Sequence, residues 1–424
     1  MNERSFDVVV VGGGPAGVAA AVCAVESGAS VLVVDDNPGL GGQIWRGEER
    51  NSSIREAQRW RERLANSKAE IHRGFRVIDQ SAPGVLVAES FDRVHEIAYS
   101  KLILCTGARE RFLPFPGWTL PNVMGAGGLQ AMVKSGIEIK GKSVVVAGTG
   151  PLLLPVAAYL REHGAEVHLI AEQAPRTAVM RFSAQLLRGP RKAVQAVGLM
   201  RRLAGIPYRF GCWPVEAKGS GSLQSVVLQQ GSRRFEVACD FLACGFHLVP
   251  NTELAALLGC ELENGTVQVN GLHQTSVANI YCAGEPTGIG GVDLALVEGQ
   301  IAGFAAAGQA ERAKRLIPER TRHRRFAAAL EQSFALRDEL RRLPQNDTLL
   351  CRCEDVSVGA TRNCANWREA KLYTRCGMGP CQGRICGAAA QFLFGWNIES
   401  IRPPIFAARL ESLAYQSGPA VPVA

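Results

Sequence analysis

The feature that most constrains the fold is a glycine-rich turn between two apolar segments near the N-terminus. The apolar segment Phe6 to Val11 is followed by Gly12-x-Gly14-x-x-Gly17 and by an alanine-rich stretch that runs to about Gly28. A second apolar segment, residues 30–34, ends at Asp35. This order predicts a strand, a helix and a second, parallel strand, joined by a turn that can hold a phosphate group.

The residues of this turn have separate tasks in a nucleotide-binding unit. Gly12 permits the tight bend, and Gly14 lets backbone N–H groups approach a pyrophosphate at the start of the helix. Gly17 lets the helix pack closely on the strand, and the carboxylate of Asp35 is expected to accept the ribose hydroxyls. The predicted binding residues are Gly12, Gly14, Pro15, Ala16, Gly17, Asp35 and Asp36. The alternative is an ordinary glycine-rich turn with a surface acid.

The same pattern occurs a second time, in a damaged form. The apolar segment Ser143 to Ala147 leads into Gly148-x-Gly150, and a further strand is expected to end near Glu172. Leu153 stands where the third glycine belongs, and we expect a leucine there to push the helix off the strand or tilt it. Gly148, Gly150 and Glu172 still leave room for NAD(P) or another adenine nucleotide, so an occupied site and a vestigial site both remain open.

Three further short motifs indicate a flavin in the first unit. The first motif is a flexible loop after Asp35 that carries an amide side chain. The second is the loop after the apolar segment 102–104, and the third is the loop after residues 279–283. The helix expected after this third loop would point its positive end toward a flavin ring. The residues expected to contact the cofactor are Gly42, Gln43, Thr106, Gly107, Gly284 and Glu285. This layout predicts FAD as the ligand of the first nucleotide domain.

The C-terminal region has cysteines at metal-binding spacing. Two close pairs are present: Cys351 with Cys353, and Cys376 with Cys381. Four soft thiolates suit a [2Fe-2S] cluster, and Gly377, Gly379 and Gly383 would let backbone N–H groups approach the sulfur atoms. A zinc knuckle and simply buried thiols are the alternatives, although zinc sites usually use Cys-x2-Cys pairs. Cys364 and Cys386 are interpreted as spare, packed thiols.

Composition and charge exclude several other classes. Apolar residues make up 47% of the 424 residues, as in a globular protein, and glycines break the uncharged run Val8 to Val25 in its middle, so no membrane span is predicted. The net charge of +8 is concentrated between Arg176 and Arg202 and again between Arg312 and Arg325. Phe182 is the single Phe, Tyr or Trp in these two stretches, so we expect a solvated or protein-docking surface and no nucleic acid. The 13 cysteines indicate a reducing, cytoplasmic location.

These motifs predict an α/β protein with two dinucleotide-binding, Rossmann-like domains and a small, mainly helical C-terminal [2Fe-2S] domain. The expected FAD domain is split between residues 1–120 and 246–310, and it encloses a second nucleotide-binding-like domain at 121–245. A basic helical linker at 311–344 then leads to the cysteine domain at 345–424.

Several segments together resemble one family: Val9 to Gly17, Cys105 to Ala108, Gly284-Glu285, Leu350 to Asp355 and Thr374 to Arg384. They look like the flavoprotein α subunits of heteromeric amine dehydrogenases, a family that includes the opine oxidase A, hydrogen cyanide synthase B and D-hydroxyproline or dye-linked proline dehydrogenase α subunits. The C-terminal part is similar to the [2Fe-2S] domain of bacterioferritin-associated ferredoxin. The string Cys-Gly-Met-Gly-Pro-Cys is its most specific piece.

The resemblance implies a division of labour between subunits. An amino-acid-oxidase-like flavoprotein β subunit would oxidise a secondary amine or imino acid such as D-hydroxyproline, proline or an opine, and this chain would relay the electrons to a respiratory acceptor. The resemblance also leaves room for a small ferredoxin-like γ subunit, an FMN at a subunit boundary and peripheral contact with the respiratory chain. The alternatives are a stand-alone NAD(P)H-dependent ferredoxin-type reductase and a non-catalytic electron-transfer scaffold.

Overall fold

The computed structural model describes residues 5–45, 55–186, 190–398 and 401–416. The strands of this part of the chain are β1 (Phe6–Val11), β2 (Val31–Asp35), β3 (Glu70–Arg73), β4 (Arg76–Ala82), β5 (Val85–Glu89), β6 (Val94–Leu104), β7 (Ala108–Glu110), β8 (Val123–Gly125), β9 (Ser143–Thr149), β10 (Glu166–Glu172), β11 (Tyr208–Phe210), β12 (Cys212–Lys218), β13 (Ser225–Gln230), β14 (Arg233–Ala238), β15 (Phe241–Phe246), β16 (Leu248–Pro250), β17 (Leu262–Glu263), β18 (Thr266–Val267), β19 (Ile280–Cys282), β20 (Leu349–Cys351) and β21 (Val356–Ser357).

The α-helices are α1 (Pro15–Val25), α2 (Gly42–Trp45), α3 (Arg55–Ala65), α4 (Ala126–Lys134), α5 (Leu153–Glu162), α6 (Arg176–Leu186), α7 (Pro190–Arg202), α8 (Glu253–Leu257), α9 (Val292–Ala306), α10 (Ala310–Lys314), α11 (Ile317–Ser333), α12 (Val358–Thr361), α13 (Trp367–Thr374), α14 (Cys386–Phe394) and α15 (Leu410–Gln416). Two short 3-10 helices span Glu285–Thr287 and Asp338–Arg342. No helix among the described residues is long and apolar enough to cross a membrane.

The chain divides into two compact units. The first comprises residues 1–109, 249–327 and 400–424, and the second comprises residues 110–248 and 328–399. Each unit contains a parallel sheet with helices packed against it, which confirms the predicted α/β class with two Rossmann-like folds. Arg188, in the first basic stretch of the sequence, lies outside the described residues.

The sheet of the first unit has the order β3-β2-β1-β6-β5-β4, and β19 also pairs with β6. Strands β1, β2, β3 and β19 join β6 in parallel register, whereas β4 and β5 form an antiparallel extension. Helices α1 and α9 cross on one face at very short range. A Cβ atom on Gly299 would lie 2.1 Å from the carbonyl oxygen of Ala16, and one on Gly303 would lie 2.3 Å from that of Ala20. Two glycines one helical turn apart therefore allow the two backbones to touch.

The second unit has a parallel sheet of order β11-β10-β9-β15-β8 and an antiparallel sheet β12-β13-β14. The chain leaves β9 for β10 on one side and returns through β15 on the other, so the carboxyl ends of β9 and β15 form a topological switch point, where α/β proteins bind ligands. The damaged fingerprint changes the start of the helix. In the first unit the helix begins at Pro15, but α5 begins only at Leu153, two residues later in the pattern. Leu153 is buried and packs against Gly245 of β15, so a glycine on the neighbouring strand accommodates it.

The cysteine-containing region groups with the second unit. The indole N–H of Trp118 donates to the carbonyl oxygen of Leu349 at 2.7 Å, and Leu340 and Phe392 belong to the apolar core of that unit. The sequence placed the passages between domains at 120/121 and 245/246, whereas the units change at 109/110 and 248/249. The expected linker 311–344 is divided between the units after residue 327, because its later part packs into the second core.

Candidate functional site

The first glycine turn has the geometry of a phosphate-binding loop. Gly12 has a φ of +106°, and a Cβ atom there would lie 2.2 Å from the carbonyl oxygen of Cys105. A Cβ atom on Gly17 would lie 1.8 Å from the carbonyl oxygen of Gly12, so the helix packs directly on the turn. Pro15 and Ala16 follow Gly14 as the first residues of α1, where a missing proline N–H costs nothing. Close backbone packing within the turn therefore requires glycine at 12 and 17, whereas a Cβ atom on Gly14 would meet only the Cα of Gly42, at 3.9 Å.

Asp35 lies at the carboxyl end of β2 and is tied to this turn. One of its carboxylate oxygens accepts the Gly13 N–H at 2.5 Å, and the other accepts the backbone and side-chain N–H groups of Asn37 at 2.8 and 2.9 Å. Asp35 is buried, whereas its neighbour Asp36 is exposed. The structure therefore places Asp35 beside the turn, where the sequence predicted a ribose ligand, and leaves Asp36 at the surface.

The other residues predicted to contact a flavin surround the same edge of the sheet. Gly42 and Gln43 begin α2, and the Gly41 N–H donates to the carbonyl oxygen of Gly13 at 2.7 Å. Thr106 and Gly107 follow β6, where the Thr106 hydroxyl donates to the carbonyl oxygen of Asn251 at 2.6 Å. Because β2, β1, β6 and β19 are parallel neighbours, the loops at their carboxyl ends meet at one site.

Gly284 and Glu285 complete this site after β19. Gly284 has a φ of +81°, and a Cβ atom there would lie 2.8 Å from the Cβ of Ala16. The Glu285 carboxylate accepts the N–H groups of Gly290 and Gly291 at 3.2 and 3.0 Å, just before α9 begins. Burial raises the pKa of Glu285 to about 7.

A buried carboxylate, paired with a partly exposed arginine, supports the Gly284 turn, and this pair was not predicted from the sequence. Glu298 of α9 is fully buried; one carboxylate oxygen accepts the Gly284 N–H at 3.0 Å and the Thr287 hydroxyl at 2.9 Å. Its other oxygen pairs with Arg324 of α11 at 2.7 Å. The sequence did contain a sign of this pair. Glu298 stands among the apolar residues of a helix, and a charge is rarely buried without a partner.

We expect Arg324→Met to loosen this turn. The change removes the arginine that pairs with the buried Glu298 carboxylate. We expect the free energy of unfolding to fall by about 3 kcal/mol, the low end of the range for a buried pair that loses one partner. The low end applies because the Arg324 side chain is 39% exposed. Urea unfolding and the flavin content after gel filtration measure the two effects. Arg322→Met is the matched control on the same helix, because Arg322 is 73% exposed and pairs with Glu319. Equal stability of both variants would contradict a supporting role for the pair.

The predicted residues of the second nucleotide site also meet, in an arrangement like that of the first turn. A Cβ atom on Gly148 would lie 1.9 Å from the carbonyl oxygen of Gly245, as at the first turn. Glu172 is fully buried and its two carboxylate oxygens accept the N–H groups of Gly150 and Ala174, each at 2.8 Å. Burial raises its pKa to about 7. These two contacts match those that Asp35 makes with Gly13 and Asn37 at the first turn, so the two acids are placed alike.

The four predicted metal-binding cysteines lie close together, and a fifth joins them. The sulfur atoms of Cys351, Cys376 and Cys386 all lie within 4.8 Å of one another, and all three residues are buried. The Cys381 thiol lies beside those of Cys353 and Cys386. Cys386, which the sequence interpretation took as a spare, packed thiol, lies in contact with Cys351, Cys376 and Cys381 and is therefore a further candidate ligand. The signal was present, because Cys381 and Cys386 repeat the Cys-x4-Cys spacing of Cys376 and Cys381.

The surroundings favour the thiolate form at two of these sulfur atoms, those of Cys351 and Cys381, whereas the pKa of Cys353 and Cys386 is raised. The hydrogen bond from Cys386 is the main cause that lowers the pKa of Cys351 to about 6 and that of Cys381 to about 4. Backbone N–H groups add to this effect, including that of Gly377 at Cys351 and that of Gly383 at Cys381. A Cβ atom on Gly379 would lie 2.4 Å from the Cβ of Cys353, so the glycines do permit the close approach. A donor set of soft, deprotonated sulfur atoms fits an iron-sulfur cluster.

Comparisons with known proteins agree with this geometry. The model of the family described as "Pyridine nucleotide-disulphide oxidoreductase" matches residues 6–310. The chain is 32% identical to the hydrogen cyanide synthase protein HcnB of Pseudomonas aeruginosa, with 91% of each chain covered. It is 34% identical to the opine oxidase A protein of Agrobacterium tumefaciens over 90% of this chain and 84% of the relative.

A solved structure has the same fold over nearly the whole chain. It is the L-proline dehydrogenase from P. horikoshii, which is 18% identical and superimposes with a TM-score of 0.67 over 97% of this chain and 79% of the other. At this level of identity the match is one of fold alone.

Proposed function

Because the chain belongs to the pyridine nucleotide-disulphide oxidoreductase family, and is thus a flavin-dependent oxidoreductase, we propose that it is the α subunit of a heteromeric amine dehydrogenase. It would contain FAD and a [2Fe-2S] cluster and relay electrons from a secondary amine or imino acid, such as D-hydroxyproline, proline or an opine, to a respiratory acceptor. The observation that carries the proposal is the convergence of five cysteine thiols in a chain that also has a complete flavin fingerprint.

In the first unit, the residues present fit FAD. The turn Gly12 to Gly17 offers backbone N–H groups at the start of α1, whose partial positive charge suits a pyrophosphate. Asp35 stands beside this turn for the ribose, and Gly284 and Glu285 stand beside α9 for the ribitol chain. Gly42, Gln43, Thr106 and Gly107 would line the remainder.

In the second unit, the residues present fit an iron-sulfur cluster. Cys351, Cys353, Cys376 and Cys381 were predicted as ligands, and Cys386 lies in contact with three of them. A flavin accepts two electrons together and an iron-sulfur cluster carries one at a time, so the pair suits a relay. The protein's part would be to stabilise the deprotonated sulfur atoms with backbone N–H groups, as at Cys351 and Cys381, and to shield the cluster from water by the burial of Cys351, Cys376 and Cys386.

The names of the relatives support a heteromeric assembly. Hydrogen cyanide synthase HcnB, opine oxidase A and sarcosine oxidase alpha are each named as one subunit of an enzyme, and the chain is similar to all three. The proposed partner is an amino-acid-oxidase-like flavoprotein that oxidises the amine, with a small ferredoxin-like protein and an FMN at a subunit boundary as further components. A reducing cytoplasmic location would suit free thiols.

The decisive experiment compares this chain alone with its complex under anaerobic conditions. We expect proline, D-hydroxyproline or an opine to bleach the flavin of this chain only when the amino-acid-oxidase-like subunit is present. An electron paramagnetic resonance signal of the reduced cluster should rise at the same time. Bleaching of the isolated chain by NADH or NADPH would instead favour the stand-alone reductase. Full amine turnover after mutation of the thiols, with the complex intact, would favour a scaffold.

A further inference from the structure

In the cleft of the second nucleotide fold, polar side chains form hydrogen bonds with a segment of this same chain. In the second unit, the segment that follows α11 lies over the carboxyl ends of the central strands. Thr149 ends β9 and Gln173 follows β10, so both stand at the position where a dinucleotide crosses the sheet. Gln173 is fully buried, and Thr149 is buried as well.

Both side chains bind the backbone that follows α11. The Thr149 hydroxyl donates to the carbonyl oxygen of Phe334 at 3.1 Å. The Gln173 amide donates to the Thr149 hydroxyl at 2.8 Å and to the carbonyl oxygen of Ala335 at 3.0 Å. Its own oxygen accepts the Arg337 N–H at 3.1 Å. The Gln173 amide thus binds this segment both as a donor, through its nitrogen, and as an acceptor, through its oxygen.

The third strand of the switch point contributes in the same way. His247 follows β15 and has a φ of +68°, and one of its ring nitrogens lies 2.7 Å from the carbonyl oxygen of Phe334. Burial lowers the pKa of His247, so the neutral ring donates this hydrogen bond near neutral pH. The Phe334 carbonyl therefore receives donors from the loops after two neighbouring strands.

The side chain of Phe334 fills the apolar part of the cleft. It is 2% exposed, and its ring meets that of Phe182 edge-on with the centroids 5.2 Å apart. Farther along, the guanidinium of Arg337 lies 4.8 Å from the ring centroid of Trp213, and Leu340 is fully buried in the core of the unit. The segment is consequently part of the packed interior and has more than one anchor.

We propose that residues 334–340 are the permanent occupant of the second nucleotide cleft, so that this chain binds no pyridine or adenine nucleotide there. The segment supplies hydrogen-bond acceptors to Thr149 and His247, and the Gln173 side chain binds it at Ala335 and Arg337. A nucleotide would have to displace the buried Phe334 side chain, and the donors of Thr149 and His247 would then need new hydrogen-bond acceptors. The cleft instead anchors the chain that leads into the cysteine region.

The inference can be tested on the purified flavin-loaded protein, with its partner subunit where the complex is isolated. Equilibrium dialysis with NADH, NADPH and ATP at about 1 mM, the upper end of ordinary substrate affinities, should give no stoichiometric binding beyond the flavin. Hydrogen exchange should show slow amides at Gly150, Ala174 and Arg337 that none of these nucleotides alters. One equivalent of bound nucleotide with faster exchange at Arg337 would overturn the proposal and make the segment a displaceable lid.

A conservative variant tests the anchoring itself. Thr149→Val keeps the side-chain shape and removes the hydroxyl that joins Gln173 to Phe334. We expect at least about fivefold faster exchange of the Arg337 amide, as loss of one buried hydrogen bond implies. Thr321→Val is the control, because the Thr321 hydroxyl bonds only within α11, to the carbonyl oxygen of Ile317. Unchanged exchange in Thr149→Val would contradict the anchoring role. These outcomes do not depend on the amine or the cluster.

Discussion

Replacement of Cys386 by serine should strip the protein of most of its iron and acid-labile sulfide. Cys386 lies at the centre of the thiol cluster, in contact with Cys351, Cys376 and Cys381. Loss of a group that only supports a metal ligand already lowers metal affinity by about 10- to 100-fold, and loss of a thiolate ligand should cost at least as much. We therefore expect at least about tenfold less iron per flavin, with loss of the visible absorbance of the cluster.

Cys364→Ser is the matched control for this variant. Cys364 comes from the same region and packs at the edge of the same apolar cluster, but it is partly exposed. Its replacement should leave the iron content, the sulfide content and the paramagnetic signal of the reduced protein at the wild-type level. If Cys386→Ser keeps its cluster as well, the ligands are the four cysteines predicted from the sequence, and Cys386 only packs beside them. Zinc in place of iron in the wild-type protein would contradict the iron-sulfur assignment altogether.

The first nucleotide unit was predictable because its determinants are local. Gly12, Gly17 and Asp35 all fall within one βαβ unit, where a steric requirement at each position selects the residue type. The observed strand Phe6–Val11 has the predicted bounds, and β2 ends at Asp35 as expected. Gly284 and Glu285 are far away in sequence, yet the apolar strand before them was enough to place them at the same sheet edge.

The remaining features depend on contacts between distant residues. Phe334 and Thr149 are 185 positions apart, and nothing in the helical, charged pattern before Phe334 indicates that it enters a cleft. Leu153 was expected to push its helix off the strand, whereas α5 starts later and Gly245 makes room for the side chain. A substitution at one position was compensated on a neighbouring strand, which a single sequence does not reveal. The spacing of the cysteines indicated where the metal site lies. It did not indicate which thiols are ligands, because Cys376, Cys381 and Cys386 form two overlapping Cys-x4-Cys patterns.

The second large effect is expected at the first glycine turn, for Gly17→Ala. An added Cβ atom would lie 1.8 Å from the carbonyl oxygen of Gly12, a backbone atom that cannot move aside without shifting α1 or the turn. Overpacking of this kind costs about 1–3 kcal/mol or more, so we expect FAD affinity to fall at least about tenfold.

The measurement for Gly17→Ala is the FAD content after gel filtration, followed by fluorescence titration of the stripped protein with FAD. Gly39→Ala is the control from the loop beyond Asp35, because a Cβ atom on Gly39 would meet nothing within 4 Å. The iron content should stay unchanged in both variants, since the thiols belong to the other compact unit. This separates loss of a flavin site from general unfolding. Wild-type FAD affinity in Gly17→Ala would mean that the flavin does not bind on this turn.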